Sequence, residues 1–488
     1  MTASAAPVLR ILSIDFYERQ VRLRMPFRFG VVTLTHAPQV FARVQVQLAD
    51  GRQAWGASAE LLAPKWFDKN PQLSNEQNFD QLRQALLLAR ELYLEGGART
   101  AFAHFEQHHL PQQDAAAAQG LNPLVAHYGP ALIDRAVIDA LCRALKLDFF
   151  TAMQRNATGI QATPLCPDLQ GFDLDRFLAA LRPAAHIAAR HTVGMVDAIT
   201  SDDVQQRVGD GLPQTLEEVV AHYGQRWFKL KVGGDLPSDL QRLQQIAAVL
   251  DRIEGGYQAS LDGNEQYDEV ADVLALWQAM QSTPALAQLC RSVVFIEQPI
   301  KRQSALRAHV GALAAYKPVI IDESDDSLDA FVRARQMGYS GVSSKTCKGI
   351  YKSVLNRARC AQWNLEAGLD DGGLSNLGAP GVGYFMSAED LTIQAGLALQ
   401  QDLALVSLLG ITHVERNGHH YVNGMADLPE AEQQAFFAAH PDLYERSHGA
   451  VRLRIEQGQI ALGSLACLGF ASAAQPLWTA MQPMPLRA

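Results

Sequence analysis

The sequence predicts an α/β fold containing a parallel (β/α) barrel, because five short apolar runs between residues 227 and 345 each end in charged residues. Successive runs end roughly 23 to 35 residues apart with helix-like segments between them, and one strand–helix unit of such a barrel takes roughly 30 residues. The carboxyl ends of its strands meet at the mouth of the barrel, where active sites lie. The charged residues that end the runs are Lys229, Lys231, Asp262, Glu297, Asp322, Glu323 and Lys345.

Residues 1–150 predict a separate α+β domain, since the chain of 488 residues is much longer than the roughly 250 that a barrel uses. Alternating apolar residues are typical of strands, and apolar residues three and four apart are typical of helices. The stretch Arg24–Gly30 fits neither period, and we expect a loop there. Strands are expected at 9–23, 40–48 and 54–56, and helices at 75–94 and 132–147.

Residues 151–190 contain Pro164, Pro167 and Pro183 and mixed patterns, which predict a connection with helical pieces. The barrel is expected to occupy residues 191–440. Outside the charged runs, its first strand is expected at His191–Ala198, its first helix at Leu216–Tyr223, and its last two strands at 384–386 and 411–414.

Two further segments depart from the barrel rhythm. Residues 366–383 are rich in glycine and aspartate, which predicts a long surface loop inserted between the sixth and seventh strands. In the tail, residues 441–488, alternation returns at 451–460. This alternation predicts that the chain rejoins the first domain.

Composition excludes several classes of protein. A net charge of −9, a pI near 5.9 and the lack of a basic run argue against a nucleic-acid or anionic-membrane surface. The six cysteines have no spacing typical of a disulfide framework or a zinc site. The N-terminus does not resemble a signal peptide, and the most apolar stretch, Ala395–Ile411, is interrupted by polar residues. A soluble, cytoplasmic protein is therefore expected.

Five motifs in this order resemble the enolase superfamily, specifically the muconate lactonizing enzyme-like subgroup of the mandelate racemase/muconate lactonizing enzyme family. The motifs are Lys229-x-Lys231, Asp262-Gly-Asn264, Ile-Glu297-Gln-Pro299, Ile-Asp322-Glu323-Ser324 and the later Lys345. The resemblance implies a modified (β/α) TIM barrel, an α+β capping domain built from the N-terminal region and the C-terminal tail, one Mg²⁺ per chain, and a homo-oligomer. It also implies abstraction of a proton α to a carboxylate. Ser343-Ser344 and the insertions at 151–190 and 366–383 depart from the pattern.

The carboxylates fit a hard cation. Removing a proton α to a carboxylate places a second negative charge on an anionic group, and Mg²⁺ with oxygen ligands can offset that charge. We assign Asp262, Glu297 and Asp322 as the metal ligands. Strand alternation turns Glu323 to the other face, where it is expected to support the site and to pair with a lysine. Asn264 and Gln298, each close in sequence to a ligand, are expected to support the ligands from behind.

The lysines are the candidate bases. A lysine needs a lowered pKa to accept a proton near neutrality, and burial beside another cation lowers it. Lys229 and Lys231 share one face of their strand, with Lys231 nearer the mouth, and Lys345 comes from across the barrel. We expect Lys231 and Lys345 to flank the α-carbon, assisted by Lys229. Lys348 competes with Lys345 for this role.

Substrate contacts are expected from Arg28 in the loop of the first domain, Glu389 at the end of the seventh strand and His413 on the eighth. Related dipeptide epimerases use an Asp-x-Asp on the eighth strand, which is missing here, so a hydroxylated, N-acylated or carbocyclic carboxylate is preferred to a dipeptide. The reaction expected is racemisation, epimerisation or cycloisomerisation, with dehydration of a hydroxy acid as an alternative. An aldolase with a lysine Schiff base and a non-catalytic scaffold protein are further alternatives.

Overall fold

The structure is a computed structural model that describes residues 6–29, 32–369 and 383–485. An antiparallel sheet and three helices form the N-terminal part, which we call the capping domain. The strands of this sheet are β1 (Leu9–Phe29), β2 (Val32–Leu48), β3 (Gln53–Leu61) and β4 (Ala98–Arg99). The helices are α1 (Asn75–Glu95), α2 (Ala101–Ala118) and α3 (Pro123–Leu145).

Local sequence explains where these helices begin. Ser74 accepts a hydrogen bond from the backbone of Gln77, whose side chain accepts one from the backbone of Ser74, and this capping box starts α1. Asn122 caps α3. The helix α3 lies directly against β3, where a Cβ on Gly56 would come 2.2 Å from the Ala136 carbonyl oxygen. Only glycine permits this close approach.

A closed barrel of eight parallel strands follows a connection that holds α4 (Phe149–Gln154) and α5 (Leu174–Ala180). The last barrel strand pairs with the first, so the ring of strands is complete. The barrel strands are β5 (His186–Val193), β6 (Trp227–Lys231), β7 (Gln258–Asp262), β8 (Val293–Glu297), β9 (Val319–Ile321), β10 (Gly341–Ser344), β11 (Phe385–Ala388) and β12 (His413–Glu415). The predicted α/β barrel is confirmed.

Helices cover the outside of the barrel, and several strands are followed by more than one. They are α6 (Leu216–Tyr223), α7 (Leu236–Leu250), α8 (Val270–Ser282), α9 (Ala287–Ser292), α10 (Arg302–Ala305), α11 (Gly311–Ala314), α12 (Ala330–Gln336), α13 (Ile350–Glu366), α14 (Leu397–Leu408) and α15 (Gly418–Tyr421). None of the helices among the described residues is both long and apolar enough to cross a membrane.

The tail contains α16 (Glu430–Ala439), β13 (Tyr444–Ser447), β14 (Ala450–Leu453), β15 (Gln459–Ala461) and β16 (Gln482–Pro483). The alternating residues 451–460 do not join the capping sheet: β14 pairs with β13, and β15 adds to the barrel strand β5. The chain reaches the capping sheet at β16, which pairs with Tyr17 and Glu18 of β1.

Two expected boundaries were wrong. Arg24–Phe29 is not a loop but the end of β1, and the irregular pattern there comes from a register shift between Arg22 and Phe27. The first barrel strand begins at His186, five residues before the expected start, because the buried Arg190 hides its apolar pattern. Most of the predicted insertion at 366–383 lies outside the described residues.

Candidate active site

The charged residues identified in the sequence meet at the carboxyl end of the barrel. Lys231, Asp262 and Glu297 end three neighbouring strands and stand directly opposite one another in register. Asp322 immediately follows β9, and Lys345 immediately follows β10. Five consecutive strands therefore bring these side chains to one mouth, as parallel strands require.

Lys229 lies at the centre of the buried carboxylates. Its Nζ is 2.9 Å from Asp262, 2.8 Å from Glu297, 2.7 Å from Glu389 and 3.1 Å from Glu415. Burial alone would lower the pKa of Lys229, but Asp262 and the other carboxylates raise it well above its usual range. The expectation that the pKa of Lys229 is lowered is therefore wrong. Lys229 is a fixed ammonium that holds the carboxylates together.

The two lysines expected to flank the substrate contact different carboxylates. Lys231 lies 2.5 Å from Asp262 and donates to the side chain of Asn264. Lys345 lies 2.5 Å from Asp322 and 4.2 Å from the centroid of the Trp66 ring. Burial would lower the pKa of Lys345, but Asp322 raises it, so the expectation of a lowered pKa is also wrong here.

Lys348, the competing candidate, lies deeper than Lys345. Its Nζ is 3.0 Å from Asp322 and also donates to the backbone carbonyls of Asp322 and Ser343. Burial alone would raise the pKa of the Asp322 carboxyl, but the two lysines hold it well below its usual range. Lys348 therefore fixes Asp322, and the structure does not place it on the wall of the cavity described below.

Asn264, Gln298 and Glu323 support the carboxylates from behind. The Asn264 backbone donates to Asp262 at 2.8 Å, and its side chain donates to Glu323 at 3.1 Å. The Gln298 side chain accepts from the backbone of Asp322 at 2.8 Å. Asn264 and Gln298 adopt left-handed backbone conformations with φ of 41° and 32°, which is the kind of strain found at functional sites.

Three residues were proposed to contact substrate. Glu389 lies among the carboxylates around Lys229, whereas His413 and Arg28 do not. Glu389 is fully buried and pairs with Arg190 and Lys229. His413 is at the opposite end of the barrel, stacked on Trp227 with ring centroids 4.1 Å apart. Arg28 is exposed on β1, whereas its neighbour Phe27 faces the cavity, because adjacent strand residues point to opposite faces. The structure therefore does not place His413 or Arg28 on the lining of the cavity described below.

Sequence reasoning missed the buried Arg190 of β5 and did not include Glu415 of β12 among the assigned site residues. Arg190 donates to the Ser387 hydroxyl at 3.0 Å and the Ala388 carbonyl at 2.9 Å, besides its ion pair with Glu389. Burial lowers the pKa of Arg190, but Glu389 and other carboxylates raise it overall. Both residues carry the signal used elsewhere, a charge inside an apolar strand.

A small cavity of about 30 Å³ lies over the lysines. Its floor is formed by Lys229, Lys231, Lys345 and Glu415, and its apolar wall comes mainly from the capping domain. The residues of this wall are Phe27, Leu34, Ala63, Trp66 and Leu391. The capping domain and the barrel therefore build the candidate site together.

The carboxylates fit Mg²⁺ in donor chemistry, though not in their present arrangement. In the part of the chain that the structure describes, no three acidic, histidine or cysteine side chains are placed to hold a metal ion. However, four carboxylates already converge on one cation, the Lys229 ammonium, and Glu297 Oε2 is buried without a hydrogen-bond partner. Oxygen donors of this kind suit a hard divalent cation, which would have to displace lysine contacts.

A sequence model of the family described as "Enolase C-terminal domain-like" matches residues 212–469, which is more than half of the chain. The chain belongs to the enolase superfamily. No curated protein matches its sequence closely enough to count as a relative.

Several solved structures share the fold over most of the chain. A dipeptide epimerase from Enterococcus faecalis V583, complexed with Mg and L-Leu-L-Tyr, has a TM-score of 0.58 at 14% identity, covering 95% of this chain and 100% of its own. The L-Ala-D/L-Glu epimerase from Bacillus subtilis has a TM-score of 0.56 at 14% identity, covering 96% and 100%. An enolase from Bradyrhizobium, complexed with magnesium and mandelic acid, has a TM-score of 0.54 at 14% identity, covering 93% of each chain.

Proposed function

We propose that this protein abstracts the proton α to the carboxylate of a small-molecule substrate, using one Mg²⁺ per chain. The resulting stabilised enolate would lead to racemisation, epimerisation or cycloisomerisation. The observation that carries this proposal is the placement of Lys231 and Lys345 at the floor of one cavity, each beside a different buried carboxylate. Solved structures with this fold include two epimerases, which supports the reaction class.

Asp262, Glu297 and Asp322 would hold the metal ion. Their oxygens are hard donors at three neighbouring strand ends, and they lie beside Asn264 and Gln298, which fix two of them. When bound, Mg²⁺ supplies positive charge that lowers the cost of a second negative charge on the substrate.

Lys231 and Lys345 would move protons at the α-carbon from two sides. Asp322 holds Lys345 as an ammonium, and Lys231 contacts Asp262. Carboxylates committed to a metal stabilise a neighbouring ammonium less, which lowers the lysine pKa and favours the neutral base. Lys229 keeps three carboxylate neighbours besides Asp262 and so remains a cation that stabilises negative charge.

Exchange of the α-proton tests this proposal. Carboxylic acids are incubated with the protein in D₂O with and without Mg²⁺, and loss of the α-proton signal is followed by NMR. We expect exchange for at least one class of acid, only with Mg²⁺, and none in a variant with Lys231→Ala and Lys345→Ala together. Exchange that persists without any divalent cation, or in the double variant, would refute the mechanism.

A further inference from the structure

One wall of the cavity is apolar, and the substituent on the α-carbon of a substrate held between Lys231 and Lys345 would lie against it. Phe27 and Leu34 come from the first two strands of the capping domain, Trp66 follows β3, and Leu391 follows β11. The cavity of about 30 Å³ has room for about two water molecules. A charged substituent placed against this wall would lose most of its water and would need a counter-ion from the protein.

A substrate ammonium finds no free carboxylate at this wall. Both oxygens of Glu415 are saturated: Oε1 accepts from Thr192 and from Asn417 at 2.9 Å, and Oε2 accepts from Lys229 at 3.1 Å and from the backbone of Asp390 at 3.0 Å. The side chain of Asp390 is likewise used by the backbone amides of Ile393 and Asn417, at 2.7 and 2.5 Å. The buried acids of this region therefore serve the fold.

A second carboxylate on the substrate finds no free cation either. Among the described residues that line the cavity, the cations are Lys229, Lys231 and Lys345, and all three belong to the reacting end. Arg24 is the inward-pointing arginine nearest to Phe27 in the sequence, and it is paired with Asp210. Arg28 is exposed on the opposite face of β1 from Phe27.

Trp66 offers one polar contact within the apolar wall. Its indole Nε1 is buried and has no hydrogen-bond acceptor among the residues that the structure describes. The residue is held in place by its backbone, whose N–H donates to Pro64 at 2.8 Å and whose carbonyl accepts from Arg302 at 3.0 Å. A buried donor without an acceptor is costly, so a substrate oxygen that reaches it gains affinity.

We propose that the substrate is a monocarboxylate whose α-substituent is uncharged, with an apolar body and one hydrogen-bond acceptor that meets the Trp66 indole N–H. This inference rests on the proposed function, since it concerns the substituent on the carbon that loses the proton. Trp66 is then a residue that determines specificity, and it selects for a carbonyl, ether or hydroxyl oxygen on the substituent.

The test compares four acids with one carbon skeleton, whose substituents end in a methyl group, a methyl ester, a carboxylate or an ammonium. Mg²⁺-dependent α-proton exchange is measured by NMR for each. We expect kcat/KM for the ester to exceed that of both charged acids by about tenfold or more. A charged group that loses its water without gaining a counter-ion loses enough binding free energy to account for at least this factor.

Trp66→Phe keeps an aromatic ring but removes the N–H, and we expect it to reduce the ester-to-methyl ratio of kcat/KM by about 3- to 10-fold. The matched control is Trp277→Phe, since Trp277 also has a buried indole nitrogen without an acceptor but is far from the cavity, on α8. Ratios are taken within each variant, so that a partly unfolded fraction cancels.

Each outcome has a separate meaning. Exchange of a charged acid as efficient as that of the ester overturns the inference and leaves the proposed function standing. An unchanged ester-to-methyl ratio in Trp66→Phe overturns the role of Trp66. If none of the four acids, nor any acid of a wider carboxylate library, exchanges its α-proton with Mg²⁺, the proposed function itself fails and the inference fails with it.

Discussion

Arg24 of the capping domain donates to both carboxylate oxygens of Asp210, from Nε at 2.5 Å and from Nη2 at 2.8 Å. The same guanidinium donates to the backbone carbonyls of Pro213 at 3.1 Å and His420 at 2.9 Å. Arg24 therefore joins β1 to the loop that follows the first barrel strand and to α15, which follows the eighth. These contacts hold Phe27 over the cavity, where its ring lies 4.2 Å from that of Tyr421.

Exchanging the charges of this pair tests its role. Arg24→Asp and Asp210→Arg should each raise KM and lower the unfolding free energy by about 1–3 kcal/mol, because each places two like charges together at a partly buried position. The double variant should recover part of both losses, but not the contacts of Arg24 with backbone carbonyls. The same swap at the exposed Arg52–Asp50 pair is the control, and should change stability much less, because solvent screens exposed ion pairs. Losses that simply add in the Arg24–Asp210 double variant would contradict the role.

The proposed metal ligands can be tested without any substrate. Asp262→Asn, Glu297→Gln and Asp322→Asn should each weaken Mg²⁺ binding by about 100-fold or more, since each removes one charge from a hard-cation site. Calorimetric titration measures the affinity, and circular dichroism checks that each variant is folded. Asp268→Asn, at an exposed ion pair with Lys301, is the matched control and should bind normally. Unchanged affinity in all three variants would remove the ligand assignment.

The two lysines should differ in which enantiomer they serve. Lys231→Ala and Lys345→Ala should each lose turnover by about 100-fold or more, as expected for a general acid–base residue. Each variant should still exchange the α-proton of the enantiomer that faces the remaining lysine, which NMR in D₂O detects. Lys301→Ala, at the surface, serves as the control. Full turnover by Lys345→Ala would shift its role to Lys348 or to a one-base reaction.

Buried histidines predict loss of stability in mild acid. Burial lowers the pKa of His104, His109 and His191 from 6.5 to about 4. Between pH 6.5 and 4 the unfolded chain binds protons that the folded chain does not. The free energy of unfolding therefore has its full value, as far as these histidines are concerned, above pH 6.5 and falls as the pH is lowered. The expected slope is about 1.4 kcal/mol per pH unit for each histidine.

Urea unfolding at several pH values measures this slope. His104→Asn should make it shallower, whereas His36→Asn, at an exposed position, should leave it unchanged. The same slope in wild-type protein and in His104→Asn would show that His104 does not contribute.

The charged strand ends were enough to predict the barrel and its mouth. Asp262 and Glu297 are each the last residue of a short apolar strand, and sequence spacing alone places such residues side by side in a parallel barrel. The same rule, applied to the charged Arg190 inside β5, would have moved the expected start of the first barrel strand from His191 towards His186. The start of this strand was hard to recognise in the sequence, because a charged residue inside an apolar strand needs a partner. The partner of Arg190 is Glu389, which lies 199 residues away in the chain.

Local sequence could not reveal what long-range contacts decide. The extension of β1 through Arg24 depends on a register shift against β2 and on Asp210, which is remote in sequence. The raised pKa of Lys229 depends on four carboxylates from four different strands or loops. The neighbouring cation Lys231, which suggested a lowered pKa, therefore did not decide it. His413 carries the alternation of a strand, but only the closed barrel shows which end of the strand faces the cavity.

The pairing of β16 with β1 also bears on how the chain folds. Gln482 pairs with Glu18, so this contact closes a loop of more than 460 residues. Contacts between such distant residues cost loop-closure entropy and slow folding. A nascent chain can therefore assemble the barrel before the capping sheet receives its last strand.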